Sequence, residues 1–199
     1  MINENKETPA LLIIDMVKDN LDESKGYPIT SLARRIVGPI NNLICVFREQ
    51  GWPIVFPTDA YHRQDFIFKG RLKPFSLVGT EGAEVADELD YREEEDLWLP
   101  KPRFSAFFNT DLDQWLRERR VTLCAVAGIA TEYCVLTTVM DAICHDFKAV
   151  FLEDCSASYS ESIHEQTLSL YRRNPLYPLM RVITSSALMA ELLEEPTDV

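Results

Sequence analysis

The chain has 199 residues, 46% of them hydrophobic and 26% charged, which suits one globular domain over residues 1–199 with a sizeable core. Its net charge of −12 disfavours phosphate backbones and anionic lipid, so neither nucleic acid nor membrane is expected as a partner, although a local basic pocket can still take a small anion. No apolar run reaches the roughly 18–20 residues that span a bilayer, and Met1 to Pro9 lacks a basic-then-apolar leader, so a cytoplasmic protein is expected.

Ala10-Leu11-Leu12-Ile13-Ile14 reads as a buried strand ending at Asp15. Pro39 to Gln50 predicts a helix. Proline suits a first helical position, Ile40, Leu43, Ile44 and Phe47 share one face, and Gly51 is placed to end it. Ile54-Val55-Phe56 predicts a second strand running out to Asp59. Ala60 to Leu89 carries several Gly and Pro and reads as loop, with a short helix around Ala83 to Leu89. Asp96 to Leu99 is a third strand, followed by Lys101.

Thr110 is placed to cap the next helix, with Asp113 three residues on, near the capping-box pattern. Leu112, Trp115 and Leu116 make its apolar stripe, and Arg117, Arg119 and Arg120 suit its negative end. Val121 to Ala127 is a fourth strand and Thr131 to Cys144 a helix with Val135, Val139, Ala142 and Ile143 on one face. A strand at Ala149 to Leu152, a helix near Ser162 to Tyr171, a strand at Val182 to Thr184 and a helix from Ser185 to Glu194 complete the chain. The acidic runs Glu93 to Asp96 and Glu194-Glu195 read as solvated segments.

Strands that are apolar throughout and separated by helices imply a parallel sheet covered on both faces. Ligands then bind beyond the carboxyl ends of the strands, where Asp15, Asp59 and Lys101 stand, with Cys134 just past the fourth strand. The five cysteines show neither CxxC nor zinc-finger spacing and should be free thiols in a reducing compartment; Cys45, Cys124 and Cys144 read as small core residues.

Cys134 falls in the first turn of its helix, where partial positive charge and a nearby lysine would favour a thiolate. Free backbone N–H groups of that turn suit an oxyanion, and Asp15 suits a proton acceptor that later serves a leaving amine. Each residue also has a plain structural reading: packing for Cys134, a turn for Asp15, a solvated cation for Lys101.

Four blocks together resemble the isochorismatase-like cysteine hydrolases, which include nicotinamidases, N-carbamoyl amidases and ureidoacrylate amidohydrolases. They are Leu12-Ile13-Ile14-Asp15-Met16; Gly79-Thr80-Glu81-Gly82-Ala83-Glu84-Val85; Lys101-Pro102-Arg103-Phe104-Ser105-Ala106-Phe107 continuing to Thr110 and Leu112; and Gly128-Ile129-Ala130-Thr131-Glu132-Tyr133-Cys134-Val135. The resemblance covers nearly the whole chain. It implies an α/β, Rossmann-like three-layer sandwich with a six-stranded parallel sheet, and Asp15, Lys101 and Cys134 as a catalytic triad. It also implies a cis peptide between Ile129 and Ala130, with the amides of Ala130 and Cys134 as oxyanion donors. Because isochorismatases proper lack the cysteine, Cys134 points to hydrolysis of an amide or carbamoyl C–N bond through a thioester. The alternatives are a vinyl-ether hydrolase and a non-catalytic scaffold that keeps the fold.

Departures from the family pattern bear on the substrate. Val17 and Asn20 replace the Gln and Phe of D-x-Q-x-D-F. Metal-binding nicotinamidases carry D-x-H after the second strand and two further histidines. Here Asp59-Ala60-Tyr61-His62 has a different spacing, and Phe75 stands where the last histidine would be. With only His62, His145 and His164 in the chain, no metal and no cofactor are expected, and His145 and His164 read as structural. His62, Arg63 and Tyr133 are the candidate substrate contacts, Arg63 as a partner for a substrate carboxylate. A homo-oligomer is expected from the family.

Overall fold

The structure is a computed structural model that describes residues 7–194; the first six residues of the polar N-terminal stretch and Glu195 of the second acidic run lie outside the described residues. Six parallel strands form one sheet: β1 (Pro9–Ile14), β2 (Ile54–Asp59), β3 (Leu97–Lys101), β4 (Leu123–Ile129), β5 (Lys148–Ala157) and β6 (Met180–Ile183), in the order β3-β2-β1-β4-β5-β6. β1 and β4 are adjacent, with Ile13 opposite Ala127, and the winding direction reverses between them. That reversal opens a crevice at their carboxyl ends, which is where an open α/β sheet binds ligands.

The helices are α1 (Lys18–Leu21), α2 (Thr30–Glu49), α3 (Leu112–Glu118), α4 (Leu136–Cys144), α5 (Glu161–Tyr171) and α6 (Ser185–Leu193). Alternation along β1 feeds both faces of the sheet. Leu11 and Ile13 pack with Ile40, Ile44 and Phe47 of α2 and Leu188 of α6, whereas Ala10, Leu12 and Ile14 belong to the layer holding Leu116 of α3, Val139 of α4 and Leu168 of α5. All six residues of β1 are buried, which is why its sequence is apolar without alternation. No helix among the described residues is long and apolar enough to cross a membrane.

Several elements depart from the sequence expectation. α2 begins at Thr30, not Pro39, so the proline lies inside the helix. The buried stripe continues upstream through Ala33 and Ile36, and that packing offsets the backbone hydrogen bond proline cannot donate. Residues 83–89 form no helix beyond a 3-10 turn at Glu81–Ala83. Val85 pairs with Val17 in an isolated antiparallel bridge, and Ala86 N–H donates to Met16 O, so tertiary hydrogen bonds hold Val85 and Ala86 against β1's end before a turn at 87–89.

β4 starts at Leu123 because Val121 N–H turns back to Leu116 O, closing the end of α3. The N-cap of α3 is Asp111, without a side-chain bond; Thr110 Oγ1 donates to Ala106 O and accepts only a long 3.4 Å contact from Leu112 N–H. Cys124 is a core residue, but Cys45 and Cys144 are exposed on their helices, and all five thiols are free.

Candidate active site

The site gathers the ends of four strands. Asp15 follows β1 with φ 54°, a left-handed conformation that aspartate tolerates better than most residues. Its backbone is fixed there: Asp15 N–H donates to Pro57 O at 2.9 Å, and Asn20 Nδ2 donates to Asp15 O at 2.9 Å. The carboxylate accepts from Asp59 N–H at 2.7 Å and from Lys101 Nζ at 2.9 Å. Lys101, fully buried at the end of β3, also donates to Asp59 Oδ1 and, at 3.2 Å, to Arg103 O. An ammonium has three hydrogens, and all three are committed.

Cys134 sits in a π-helical turn, Thr131–Val135, between β4 and α4. β4 reaches this point through Gly128 at φ 109°, where a Cβ would lie 2.1 Å from Ile14 O; β1 and β4 come this close only because residue 128 is glycine. The Ile129–Ala130 peptide is cis. The Cys134 sulfur and one oxygen each of Asp15 and Asp59 lie within 4.8 Å of one another. Thr131 Oγ1 is 2.8 Å from Nδ1 of His164 on α5, which braces the turn from behind. Burial pushes the His164 pKa below its ordinary value, so at neutral pH the ring is uncharged.

The electrostatics follow from burial. Desolvation, reinforced by the Asp59 charge and only partly opposed by Lys101, pushes Asp15 up to about 7. Burial alone would neutralise Lys101, but the Asp15 and Asp59 carboxylates outweigh it and hold the ammonium charged. Cys134 is driven well above an ordinary thiol, first by burial and then by the Asp15 carboxylate, with Lys101 opposing. This corrects the expectation of a resting thiolate: a buried sulfur beside a carboxylate keeps its proton despite the helix end and the lysine.

Beyond Cys134 lies a cavity of about 430 Å³. Tyr133 lines it, half-exposed, its ring 5.9 Å from that of Phe104 at the mouth. His62 and Arg63 do not line it. His62 N–H donates to Asp65 Oδ2, closing a turn that leaves both side chains exposed on the outer surface. His145 stacks on Phe107, away from the cavity.

A metal does not fit these residues. Tyr61 occupies the D-x-H histidine position and packs edge-on against Phe68 at 5.4 Å and Phe75 at 5.5 Å, so aromatic rings stand where imidazoles would be needed. The Asp15 and Asp59 carboxylates are already paired by Lys101, and His62 points away from Asp59's cavity.

Sequence reasoning placed Asp59 on the rim without a role and passed over Asn20, Tyr61, Glu132 and Tyr159, all of which line the cavity. Position gave a usable signal for two of them: Tyr61 lies two residues past the β2 terminus, and Glu132 lies two before the cysteine. Tyr159, just beyond β5, comes to the cavity only through the fold.

A family model described as Isochorismatase domain matches residues 9–187. Over 170 residues the chain is 31% identical to an Arabidopsis thaliana protein named as a probable inactive nicotinamidase, covering 81% of this chain and 86% of that one. It is 28% identical over 183 residues to the ureidoacrylate amidohydrolase RutB of Klebsiella pneumoniae, covering 79% and 76% respectively. An isochorismatase-like hydrolase from Alkaliphilus metalliredigens superposes with a TM-score of 0.82 at 27% identity, over 92% of this chain and 98% of that one.

Proposed function

The chain belongs to the isochorismatase family, and from that premise we propose that it is an amidohydrolase using Cys134 as nucleophile on a small amide or carbamoyl compound. The observation that carries the reading is the approach of the Cys134 sulfur to the Asp15 carboxylate at the cavity floor, with Lys101 paired to that carboxylate. Because the buried thiol holds its proton while Asp15, at about 7, supplies an ionised carboxylate near neutral pH, the proton moves as the substrate is attacked and not before. Asp15 takes the thiol proton while sulfur adds to the carbonyl carbon. The backbone N–H groups of Ala130 and Cys134 are the proposed donors to the oxyanion.

The tetrahedral intermediate then loses its nitrogen, protonated by Asp15, and leaves a thioester. Water attacks the thioester carbon with Asp15 again as base, releasing the acid and restoring the thiol. Lys101 stays charged throughout and offsets the charge that Asp15 carries between transfers. A vinyl-ether hydrolase needs no sulfur nucleophile and leaves Cys134 without a task.

The test is ammonia release from a panel of small amides, carbamoyl compounds and ureido acids. Cys134→Ala and Asp15→Asn are each expected to lower turnover by about 10⁴-fold or more. Mass spectrometry of wild-type enzyme quenched during turnover should show an acyl adduct on Cys134. No ammonia from the panel, with cleavage of an added vinyl-ether substrate that survives Cys134→Ala, would favour the vinyl-ether reading. No turnover, together with an unmodified Cys134, would favour a scaffold.

A further inference from the structure

The cavity's charge has a direction. Its lining includes three carboxylates, Asp15, Asp59 and Glu132, and no lysine, arginine or histidine. Lys101 cannot serve a substrate anion, since its three hydrogens go to Asp15, Asp59 and Arg103 O. Two other cations, Lys69 and Arg103, line a separate groove that shares Ile67 and Phe104 with the cavity. Arg103 is also paired with Asp65 there.

Two cavity-lining groups have no partner. Oε2 of Glu132 is buried and makes no hydrogen bond with any described residue, and Glu132 makes no ion pair among them. Tyr61, fully buried, holds its hydroxyl near enough to Asp59 to feel that charge but without an aligned hydrogen bond. A buried carboxylate oxygen and a buried phenol left unmatched in one cavity are costly unless a ligand satisfies them. The rest of the wall is mostly apolar, with Ile29, Ile67, Leu72 and Phe75 beside the uncharged Asn20, Tyr133 and Tyr159.

Resting on the amidohydrolase reading above, we propose that this site takes an amide whose body is neutral or cationic and excludes carboxylate-bearing amides, with Glu132 as the residue that sets the charge preference and Tyr61 as a polar anchor. A protonated amine or other N–H donor on the substrate would meet Glu132 Oε2. Tyr61, kept protonated by burial, would donate to an acceptor on the same body. Selection against anions is then built by an unpaired charge of the wrong sign, which discriminates through repulsion as well as attraction.

Binding can be separated from turnover. Three amides of one skeleton, benzamide, 3-(aminomethyl)benzamide and 3-carboxybenzamide, would be titrated calorimetrically into the full chain carrying Cys134→Ala, which lacks the nucleophile. The expected order is cation, then neutral, then anion, with the anion at least about tenfold weaker than the cation. Glu132→Gln should shrink the cation-to-anion ratio by roughly tenfold, and Tyr61→Phe should weaken the neutral amide several-fold, by about what one neutral hydrogen bond contributes.

Anion binding equal to or tighter than cation binding overturns the proposal, as does a ratio unmoved by Glu132→Gln or no binding of the cationic amide at all. If the binding order holds but wild-type enzyme turns over none of the three, the charge assignment stands and the amidohydrolase reading fails. If the anion is the preferred substrate of the wild type, the reverse is true.

Discussion

Cys134 and Asp15 are two buried groups that both favour their neutral forms, and the pH profile should report the pair. Since Asp15 is pushed up to about 7, kcat/KM is expected to rise as pH increases through that value, because only the ionised carboxylate can accept the thiol proton. A profile flat from pH 5 to 9 would remove Asp15 as the base. Stability should move the other way. The folded chain keeps the Asp15 proton up to about pH 7, while the unfolded chain loses it near 3.8, so this group's contribution to stability declines as pH rises between those values. Asp15→Asn should abolish that slope in urea titrations compared across pH. Lys101 is the counterweight. Lys101→Met leaves two carboxylates facing one another without a cation and is expected to cost about 3–5 kcal/mol in the same titrations.

At the scale of elements, the nucleophile's place depends on how closely β4 passes β1. Gly128 has a positive φ, and a Cβ there would overlap the backbone of Ile14 at 2.1 Å, so neither strand can yield without losing ladder bonds. Gly128→Ala is therefore expected to destabilise by about 2–4 kcal/mol in thermal or chemical melts. A neutral substitution would show that the two strands separate more easily than the packing implies. Gly82 is placed similarly: its Cβ would meet the Asp19 carboxylate, which accepts from Ser76 N–H and pairs with Lys25. That contact helps fix the loop carrying Phe75 into the cavity wall. α2 makes the complementary point, since a proline inside a helix is tolerated where an upstream apolar stripe is buried.

For the molecule as a whole, stability should be graded from the sheet outward. β1, β2 and β4 are interior strands buried at every position, while residues 60–80 form an excursion in which most side chains are exposed. Hydrogen exchange should therefore be slowest in β1, β2 and β4 and fastest in that excursion. Ile67, Leu72 and Phe75 belong to the excursion and line the cavity, so occupancy of the site should slow exchange there and leave the sheet unchanged. Protection that rose uniformly instead would mean the wall is already as rigid as the core.

Much of this architecture was legible in the residues themselves. Apolar runs such as Ala10 to Ile14 and the helical stripes between them determined a parallel sheet covered on both faces, because burial on two sides leaves a periodicity that local sequence carries. The ends of those runs also showed Asp15, Asp59, Lys101 and Cys134 on one rim. Other features depended on contacts between distant segments. The non-helical path at Val85 and Ala86 comes from pairing with Val17 and Met16. The outward turn of His62 and Arg63 comes from Asp65. The direction in which Cys134 titrates, the full commitment of Lys101 and the unpaired Glu132 oxygen were decided by the tertiary structure alone. Periodicity is a property of neighbours along the chain, whereas desolvation and charge pairing depend on what the fold brings beside a group and how much water it removes.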